Sequence, residues 1–317
     1  MAYVSRRLVL LGPVLVGISI LAFLLGALAP GDPAYALFEL RYDRQPASET
    51  ELEALRREIG LDGPLPLQYA RWAVGAVQGD LGTSYRSGEP VVDELAERVL
   101  TSARLAVSGL AVSLLIGLPL GLVAAVRYNT WLDTLVRLGG LAGASVPIFW
   151  LGYMLILVFS VNLRWFPVAG SSTVAHWVLP SVALGMSGAA VIARLLRSAM
   201  LDVLGMDYVR SARAKGVAER RVVIRHALRN ALIPVVTVLG LLFGHLLGGA
   251  VIAEVVFSWP GVGQLIVDAI ALRDYPMIRG FVLYTGVVFV LVNLIIDLSY
   301  GVIDPRVRLG SRGGETP

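Results

Sequence analysis

The chain has 317 residues, of which 56% are hydrophobic and only 16% are charged, with a net charge of +4. Apolar runs of about 20 residues in such a chain indicate membrane-spanning helices. The absence of cysteine excludes disulfides, thiolate catalysis and cysteine-based zinc sites, and a nucleic-acid-binding function is excluded because no soluble base-contacting domain is evident.

The first element is an apolar run of 22 residues, Leu8 to Ala29, which follows the basic pair Arg6 and Arg7. This order of features also occurs in cleavable signal peptides, but their apolar region is only about 7–15 residues long. We therefore predict that residues 1–30 contain a cytoplasmic N-terminus and a retained transmembrane helix 1.

Residues 31–100 form a polar region that holds 13 acidic residues. A turn at 30–33 (PGDP) stops the first helix. The spacing of apolar residues predicts a helix over 49–59, and 67–77 is typical of an amphipathic helix at the membrane surface. We expect a small extracytoplasmic insertion and not an independent enzyme.

Residues 101–303 contain five further apolar runs that each predict a span. These runs are 105–126, 138–163, 177–193 with an extension through Met200, 231–253 and 281–303. Proline residues inside the runs are tolerated where neighbouring helices satisfy the freed backbone groups. The predicted fold class is therefore an all-α integral membrane protein with six transmembrane helices.

The distribution of arginine predicts the orientation of these spans. The inner segments are rich in basic residues and comprise 1–7, 127–137, 197–230 and 304–317. The outer loops 161–176 and 255–280 carry only Arg164, Arg273 and Arg279. Because basic residues concentrate on the cytoplasmic side, both the N-terminus and the tail at 304–317 are predicted to be cytoplasmic.

The inner stretch 207–234 is the most polar segment between two spans. A helix over 217–231 would place Arg221, Arg225 and Arg229 on one stripe. Another, apolar face would comprise Ile224, Ala227, Leu228 and Ala231. Gly216 separates this helix from a preceding one, and Pro234 is predicted to begin the next span. Such a helix either lies on anionic lipid or fits a groove on a cytoplasmic partner.

The outer loop and the polar residues inside the spans are further candidates. The segment 259–263 (WPGVG) cannot continue a helix, whereas 265–271 can form a short one; the alternative is a simple reversing loop. Polar residues inside spans are functional candidates by default, and here they are His245, Glu254, Asn293 and Asp297. They would line a passage for solute or would form hydrogen bonds between helices.

No catalytic constellation is evident. The only lysine, Lys215, is followed by Gly216 and Val217, so the chain has no nucleotide-binding P-loop and does not hydrolyse ATP by that route. Three histidines lie in different segments, and we interpret them as structural residues and not as metal ligands. The sequence therefore predicts neither an enzyme nor a resident metal or cofactor.

Four motifs resemble the permease subunits of ATP-binding-cassette (ABC) importers of the dipeptide, oligopeptide and nickel branch. They are 207–216 (DYVRSARAKG) with 226–230 (HALRN) and Pro234, 79–85 (GDLGTSY), 256–263 (VFSWPGVG) with 273–276 (RDYP), and 304–306 (DPR). The resemblance covers nearly the whole chain. It implies a type I ABC importer permease fold with a core at 101–303.

The resemblance also implies roles for two segments. The loop 201–230 looks like the family's "EAA" loop, whose coupling helix inserts into a cleft of the ATPase subunit, although the Glu-Ala-Ala of the broad family is Arg-Ser-Ala at 210–212. The implied coupling residues are Tyr208, Arg210, Ala212, Lys215, Gly216, Arg220, Arg221, Arg225 and His226. The implied extracytoplasmic gate and docking residues are Phe257, Trp259, Pro260, Gly261, Gly263 and Asp274.

The implied partners are a homologous second permease, two ATPase subunits that bind ATP and Mg²⁺, an extracytoplasmic substrate-binding protein and membrane lipid. The chain would form half of a pathway for di- or oligopeptides across a bacterial or archaeal cytoplasmic membrane, and nickel or another small solute also fits. The rival class is a stand-alone secondary transporter or channel with a proton relay through His245 and Asp297. The long basic loop and the absence of broken helices in inverted repeats count against it.

Overall fold

The computed structural model describes residues 2–28, 31–42 and 47–303; for 2–10, 247, 249, 292, 293 and 295–303 it describes the backbone only. The predicted tail 304–317 lies outside the described residues. Within the described part the chain is helical, and its one β-bridge pairs Thr83 with Pro90. Two compact units are present, Met1–Thr101 with Gly261–Pro317 (unit 1) and Ser102–Pro260 (unit 2).

Among the described residues, unit 1 is built from a long helix pair, four short helices and the first turns of α5. Its helices are α1 (Ala2–Ala27), α2 (Pro33–Tyr42), α3 (Glu49–Glu58), α4 (Leu65–Val77), the first turns of α5 (Val91–Val126), α12 (Val262–Ala271) and α13 (Tyr275–Ile303). Helix α1 packs along α13, α2 packs on α3, and α12 packs on α13.

The predicted helix over 49–59 is confirmed, and its start is fixed by a capping box. The Ser48 backbone N donates to Glu51 Oε2 at 2.9 Å, and Leu52 and Leu55 are buried. They pack on α2, which was not predicted. Its signal was nevertheless present, because Asp32 Oδ1 accepts from Ala34 N at 2.9 Å and Pro33 occupies the first helical position.

Unit 2 contains the remaining helices. They are the rest of α5, α6 (Trp131–Ser145), α7 (Ile148–Leu155) with a π-helical extension (Ile156–Asn162), α8 (Val174–Leu204), α9 (Asp207–Ala214), α10 (Glu219–Arg221), a π-helical segment (Val222–Ala227) and α11 (Leu228–Val256). Helix α8 packs on α6, α7 and α11.

Small residues let α5 and α8 approach closely. A Cβ added to Gly185 would lie 2.4 Å from the Gly109 carbonyl oxygen, and a Cβ added to Gly121 would lie 2.7 Å from the Ala193 carbonyl oxygen. Neither distance is tolerable for a real side chain, so glycine is needed for this backbone-to-backbone packing. Close packing of small residues is typical of helices in a bilayer, where the hydrophobic effect does not drive one helix onto another.

Two proline positions differ from the prediction. The run 138–163 is not one helix, because α6 and α7 meet at Pro147 with a bend of 103°; proline lacks the amide donor and forces Val146 into an extended conformation. Pro234, predicted to begin the next span, does not begin a helix. It lies inside α11, and the helical run continues from Glu219 to Val256.

Several helices are long and apolar enough to cross a membrane. In the described part of the chain these are Val91–Val126, Val174–Leu204 and Glu219–Leu246, with a fourth if the pair bent at Pro147 is one span. The described apolar portions of α1 and α13 are Leu11–Ala27 and Tyr275–Leu291.

Candidate functional site

The basic stretch forms a helix–glycine–helix element in unit 2. Gly216 follows the cap of α9 with φ +74°, a left-handed conformation that favours glycine. Arg213 closes the turn by donating from Nε and Nη2 to Glu219 Oε2 and Oε1, at 3.0 and 2.7 Å. This hydrogen bonding raises the pKa of Arg213. Because both side chains are substantially exposed, the pair contributes less than about 1 kcal/mol and mainly sets the turn's geometry.

The inner face of this element is anchored in the core. Val209, Val222 and Ala227 are fully buried and pack in the same cluster as residues of α8. The Tyr208 hydroxyl accepts from Asn230 Nδ2 at 2.7 Å and donates to a backbone carbonyl of the π-helical segment at 3.3 Å. Helix α9 is therefore fastened to the start of α11, and a force on α9 would act on that helix directly.

The outer face of the element is basic and exposed. The predicted coupling residues that lie exposed are Tyr208, Arg210, Lys215, Gly216, Arg220, Arg221 and Arg225, while Ala212 and His226 are half-buried. Ile224, predicted to share an apolar face with Ala227 and Ala231, is 49% exposed, whereas those two alanines are fully buried. The π-helical segment has more residues per turn than an α-helix, which moves Val222 and Val223 into the core in its place.

The outer loop begins in unit 2 with two buried aromatic residues. Phe257 and Trp259 are buried, and the Trp259 ring meets Trp177 edge-on at 5.3 Å between centroids. The Phe257 carbonyl oxygen accepts from Gly170 N at 3.0 Å. Pro260 is half-buried. These aromatic residues are packing anchors of unit 2, so any role in a gate would act through packing.

The remainder of the outer loop belongs to unit 1. Gly261 and Gly263 are buried at the start of α12. Asp274 is also buried, and its carboxylate accepts from Ser84 Oγ at 2.5 Å and from the backbone N of Met277 and Arg86 at 3.3 and 3.4 Å. Asp274 thus caps α13 and holds the loop around residue 84. The exposed residues of this part include Ile270 and Arg273.

The polar residues predicted inside spans differ in their surroundings. Glu254 is fully buried and accepts from Ser102 Oγ at 2.6 Å, which is a helix-to-helix contact within unit 2. His245 is exposed on α11, on the side that also exposes Leu241. The side chains of Asn293 and Asp297 lie outside those that the structure describes. Among the described residues no group of three metal-ligating side chains is present.

Comparison with known families decides what this arrangement belongs to. Residues 117–309 match the family described as "Binding-protein-dependent transport system inner membrane component", and residues 1–106 match its N-terminal companion. The chain belongs to this family. It is the permease of a binding-protein-dependent ABC importer and a multi-pass protein of the cytoplasmic membrane.

Relatives of this permease carry a more specific name. The "Glutathione transport system permease protein GsiC" of Escherichia coli strain K12 is 44% identical over 306 residues, which cover 96% of this chain and 98% of the relative. The protein of the same name from Salmonella paratyphi A is 45% identical over 307 residues with the same coverage.

Solved transporters share the fold of this permease at lower identity. The inward-facing MetNI methionine ABC transporter matches with a TM-score of 0.56 and 21% identity, covering 66% of this chain and 96% of that one. At this identity the likeness shows the fold alone.

The permease also contains a buried ion pair that sequence reasoning missed. Arg197 of α8 donates from Nε and Nη2 to Asp133 Oδ1 and Oδ2 at 2.6 and 2.8 Å, and the Asn129 backbone N donates to Oδ2 at 3.1 Å. The Asp133 side chain is 1% exposed. Both residues lie in basic-rich segments interpreted only as orientation signals, and 64 residues separate them, so no local pattern indicated the pairing.

Proposed function

We propose that this permease imports peptides as one of two permease subunits that together enclose the pathway. ATP and Mg²⁺ are bound by two separate ATPase subunits, and an extracytoplasmic binding protein delivers the solute. The single observation that carries the coupling proposal is the exposed basic element around Gly216, whose second helical part begins at Glu219 and continues without a break into α11.

The helical run Glu219–Val256 is the proposed lever. Its 38 residues span roughly 57 Å at 1.5 Å per residue, which exceeds the thickness of the hydrocarbon core. One end carries Arg220, Arg221 and Arg225, and the other is followed by the buried aromatic anchors Phe257 and Trp259. Closure of the ATPase subunits would displace α9 and the π-helical segment, and α11 would carry that displacement to the outer loop.

The proposed topology has six spans with both termini in the cytoplasm. Arginine is concentrated in the segments that this topology places inside, including the coupling loop 201–230. The polar helices α2 to α4 then lie outside the membrane. In this arrangement α11 lines the pathway, with His245 on its exposed side, and Asn293 and Asp297 remain further candidates for the lining.

Peptides are the proposed substrate class. The relatives named for glutathione transport support it, since glutathione is a small peptide-like molecule. Nickel or another small solute remains the alternative within the same architecture.

Unlike Phe257, Trp259 and Asp274, which are buried, Ile270 and Arg273 offer exposed surface for a binding protein, and the polar region 31–100 would extend it.

The test uses the assembled complex in liposomes. The binding protein is supplied on the side of the membrane that the extracytoplasmic surface of the permease faces. Arg221→Glu combined with Arg225→Glu places negative charge on the proposed docking face, and we expect at least a tenfold loss of ATP-dependent uptake with weaker ATPase association. Arg127→Glu, an exposed substitution in the inner segment 127–137 outside the coupling loop, is the control.

Unchanged coupling between uptake and ATP hydrolysis in the double variant would refute the docking assignment. Uptake by the permease alone, without ATP or partners, would instead establish the rival secondary transporter. Uptake of peptides by the complete complex supports the substrate class, and competition by nickel but not by peptides would overturn it.

A further inference from the structure

Two adjoining cavities lie in unit 2 between α5, α6 and α8. The first, the apolar groove, has a volume of about 330 Å³ and is lined by all three helices. The second, the basic pocket, has a volume of about 300 Å³ and is lined by α6 and α8. Both volumes are in the range of sites for small molecules. The two cavities adjoin because four residues line both: Val136, Gly140, Ala190 and Ala193.

The lining of the apolar groove selects hydrocarbon. Among the described residues, no charged, hydroxyl or amide side chain lines it. A Cβ added to Gly139 or Gly140 would meet nothing within 4 Å, and Leu120 and Leu135 are exposed, so the groove is open at the surface. The backbone amides of a peptide would lose their hydrogen bonds to water against such a lining, whereas an acyl chain has none to lose.

The length of the apolar groove matches one leaflet of a bilayer. Its lining on α6 runs from Leu132 to Gly143, which lies 11 positions later in the sequence. At 1.5 Å per residue this is roughly 16 Å, and half of the hydrocarbon core of a bilayer is about 15 Å. The proposed topology, on which this inference rests, places Leu132 at the inner end of the groove. The groove therefore crosses the inner leaflet.

The basic pocket carries an excess of positive charge. Three arginines line it, Arg137, Arg194 and Arg197, and no acidic side chain lines it among the described residues. One carboxylate accompanies them: Asp133 accepts from Arg197 at 2.6 and 2.8 Å, and Arg137 Nε lies 3.8 Å from Asp133 Oδ1. Arg194 is exposed and makes no ion pair within the described part of the chain. Three cations and one anion leave a net charge of +2, which an anionic ligand would neutralise.

We propose that the two cavities together hold one anionic phospholipid of the inner leaflet. An acyl chain lies in the apolar groove, and the phosphate lies beside Arg137 and Arg194. Basic pockets between helices on the cytoplasmic side are suited to anionic headgroups. A second copy of this chain would bring its own arginine-rich inner segments to the basic pocket, and this contact between like charges disfavours it as the occupant.

The test uses the complete permease–ATPase complex in nanodiscs of phosphatidylcholine. The nanodiscs contain a small fraction of either phosphatidylglycerol or phosphatidylcholine with a photoreactive group in the acyl chain, and crosslinks to residues 132–143 and 186–193 are quantified by mass spectrometry. We expect phosphatidylglycerol to label these segments roughly twentyfold more than phosphatidylcholine, because two arginines contact the headgroup. Unlabelled phosphatidylglycerol should compete for this labelling.

Substitutions separate the headgroup contact from the acyl-chain contact. Arg137→Gln and Arg194→Gln should each lower labelling by phosphatidylglycerol about fivefold, and the double variant should abolish its preference over phosphatidylcholine. Gly140→Leu fills the apolar groove and should lower labelling of these segments by both lipids.

Two matched controls should leave the labelling unchanged. Arg127→Gln removes an exposed arginine of the same inner segment that does not line the basic pocket. Gly12→Leu adds the same side chain to α1, where a Cβ would also meet nothing within 4 Å.

Equal labelling by the two lipids, or a preference that survives the double arginine substitution, overturns the inference. Absence of labelling by either lipid would show that protein covers the groove, and it would overturn the inference as well. The labelling needs neither ATP nor uptake, so this inference can fail while the coupling proposal holds.

The topology is tested separately. The chain contains no cysteine, so a cysteine in place of the exposed Trp131 provides a unique thiol in this subunit. It should react with a membrane-impermeant thiol reagent from the cytoplasmic side only. Reaction from the opposite side only would overturn the topology and the assignment to the inner leaflet.

Discussion

Replacing Asp133 tests whether a single buried ion pair holds α6 to α8. The carboxylate accepts two charge-assisted hydrogen bonds from Arg197, at 2.6 and 2.8 Å, and a backbone hydrogen bond at 3.1 Å. Removing one partner of a buried pair costs about 3–5 kcal/mol because the other charge stays buried and unpaired. Arg197 is 18% exposed and lies over Tyr128, 5.5 Å from the ring centroid, so we expect the lower value, about 3 kcal/mol, for Asp133→Asn.

The assay is thermal unfolding of the purified complex at one fixed scan rate. The scan rate is fixed because the melting temperature of a protein that unfolds irreversibly depends on it. Asp133→Asn and Arg197→Gln should each lower the melting temperature by several degrees. The double variant should lose little more than either single variant, since no buried charge is left unpaired; Arg137, which lies 3.8 Å from Asp133 Oδ1, is exposed to solvent. Glu53→Gln, which breaks an exposed pair of 3.8 Å in α3, should change little.

Additive effects would refute this reasoning. If the double variant lost the sum of the two single effects, the two side chains would contribute independently and the observed pair would not be the source of the stability.

Three further substitutions test other features. Gly216→Ala places a side chain at positive φ at a cost of about 1 kcal/mol and should lower the ratio of solute transported to ATP hydrolysed, whereas Gly216→Asn should lower it less. The same ratio in the wild type and in Gly216→Ala would contradict a role of the Gly216 conformation in coupling. Gly185→Ala should destabilise the complex by about 1–3 kcal/mol in thermal unfolding, and Gly139→Ala, with nothing within 4 Å of its Cβ, should not; equal effects would exclude close packing as the cause. Asp274→Ala should expose the loop around residue 84 to limited proteolysis, and Asp268→Ala, which breaks only an exposed pair, should not; unchanged cleavage in both would show that the carboxylate does not hold the loop.

Sequence reasoning identified the features that local patterns encode. The apolar spacing of 49–59 predicted α3, and glycine at 216 predicted the break between α9 and the next helix, which its positive φ confirms. The family assignment rested on motifs and is shown by the family match. The residues that form each of these signals are close together in the sequence, so the sequence alone is sufficient to predict the feature.

The features that the sequence did not reveal depend on tertiary packing. Pro234, predicted to begin a span, is accommodated within α11. Ile224 is exposed although it belongs to the predicted apolar face, because a π-helical segment changes the angular spacing of residues 222–227 from that of an α-helix. The buried nitrogens Trp72 Nε1 and Arg279 Nε, which have no hydrogen-bond partner among the described residues, are recognised only once α4 and α13 are folded in unit 1.

The uninterrupted helical run from Glu219 to Val256 fixes an angular register. Each residue of an α-helix advances the side-chain direction by about 100°. Inserting or deleting one residue between Leu228 and Pro234 would therefore rotate the basic face by about 100° relative to His245 and the aromatic anchors. We therefore expect this segment to tolerate changes of side chain but not of length, because it acts as a rigid helix that keeps a fixed angle between its two ends.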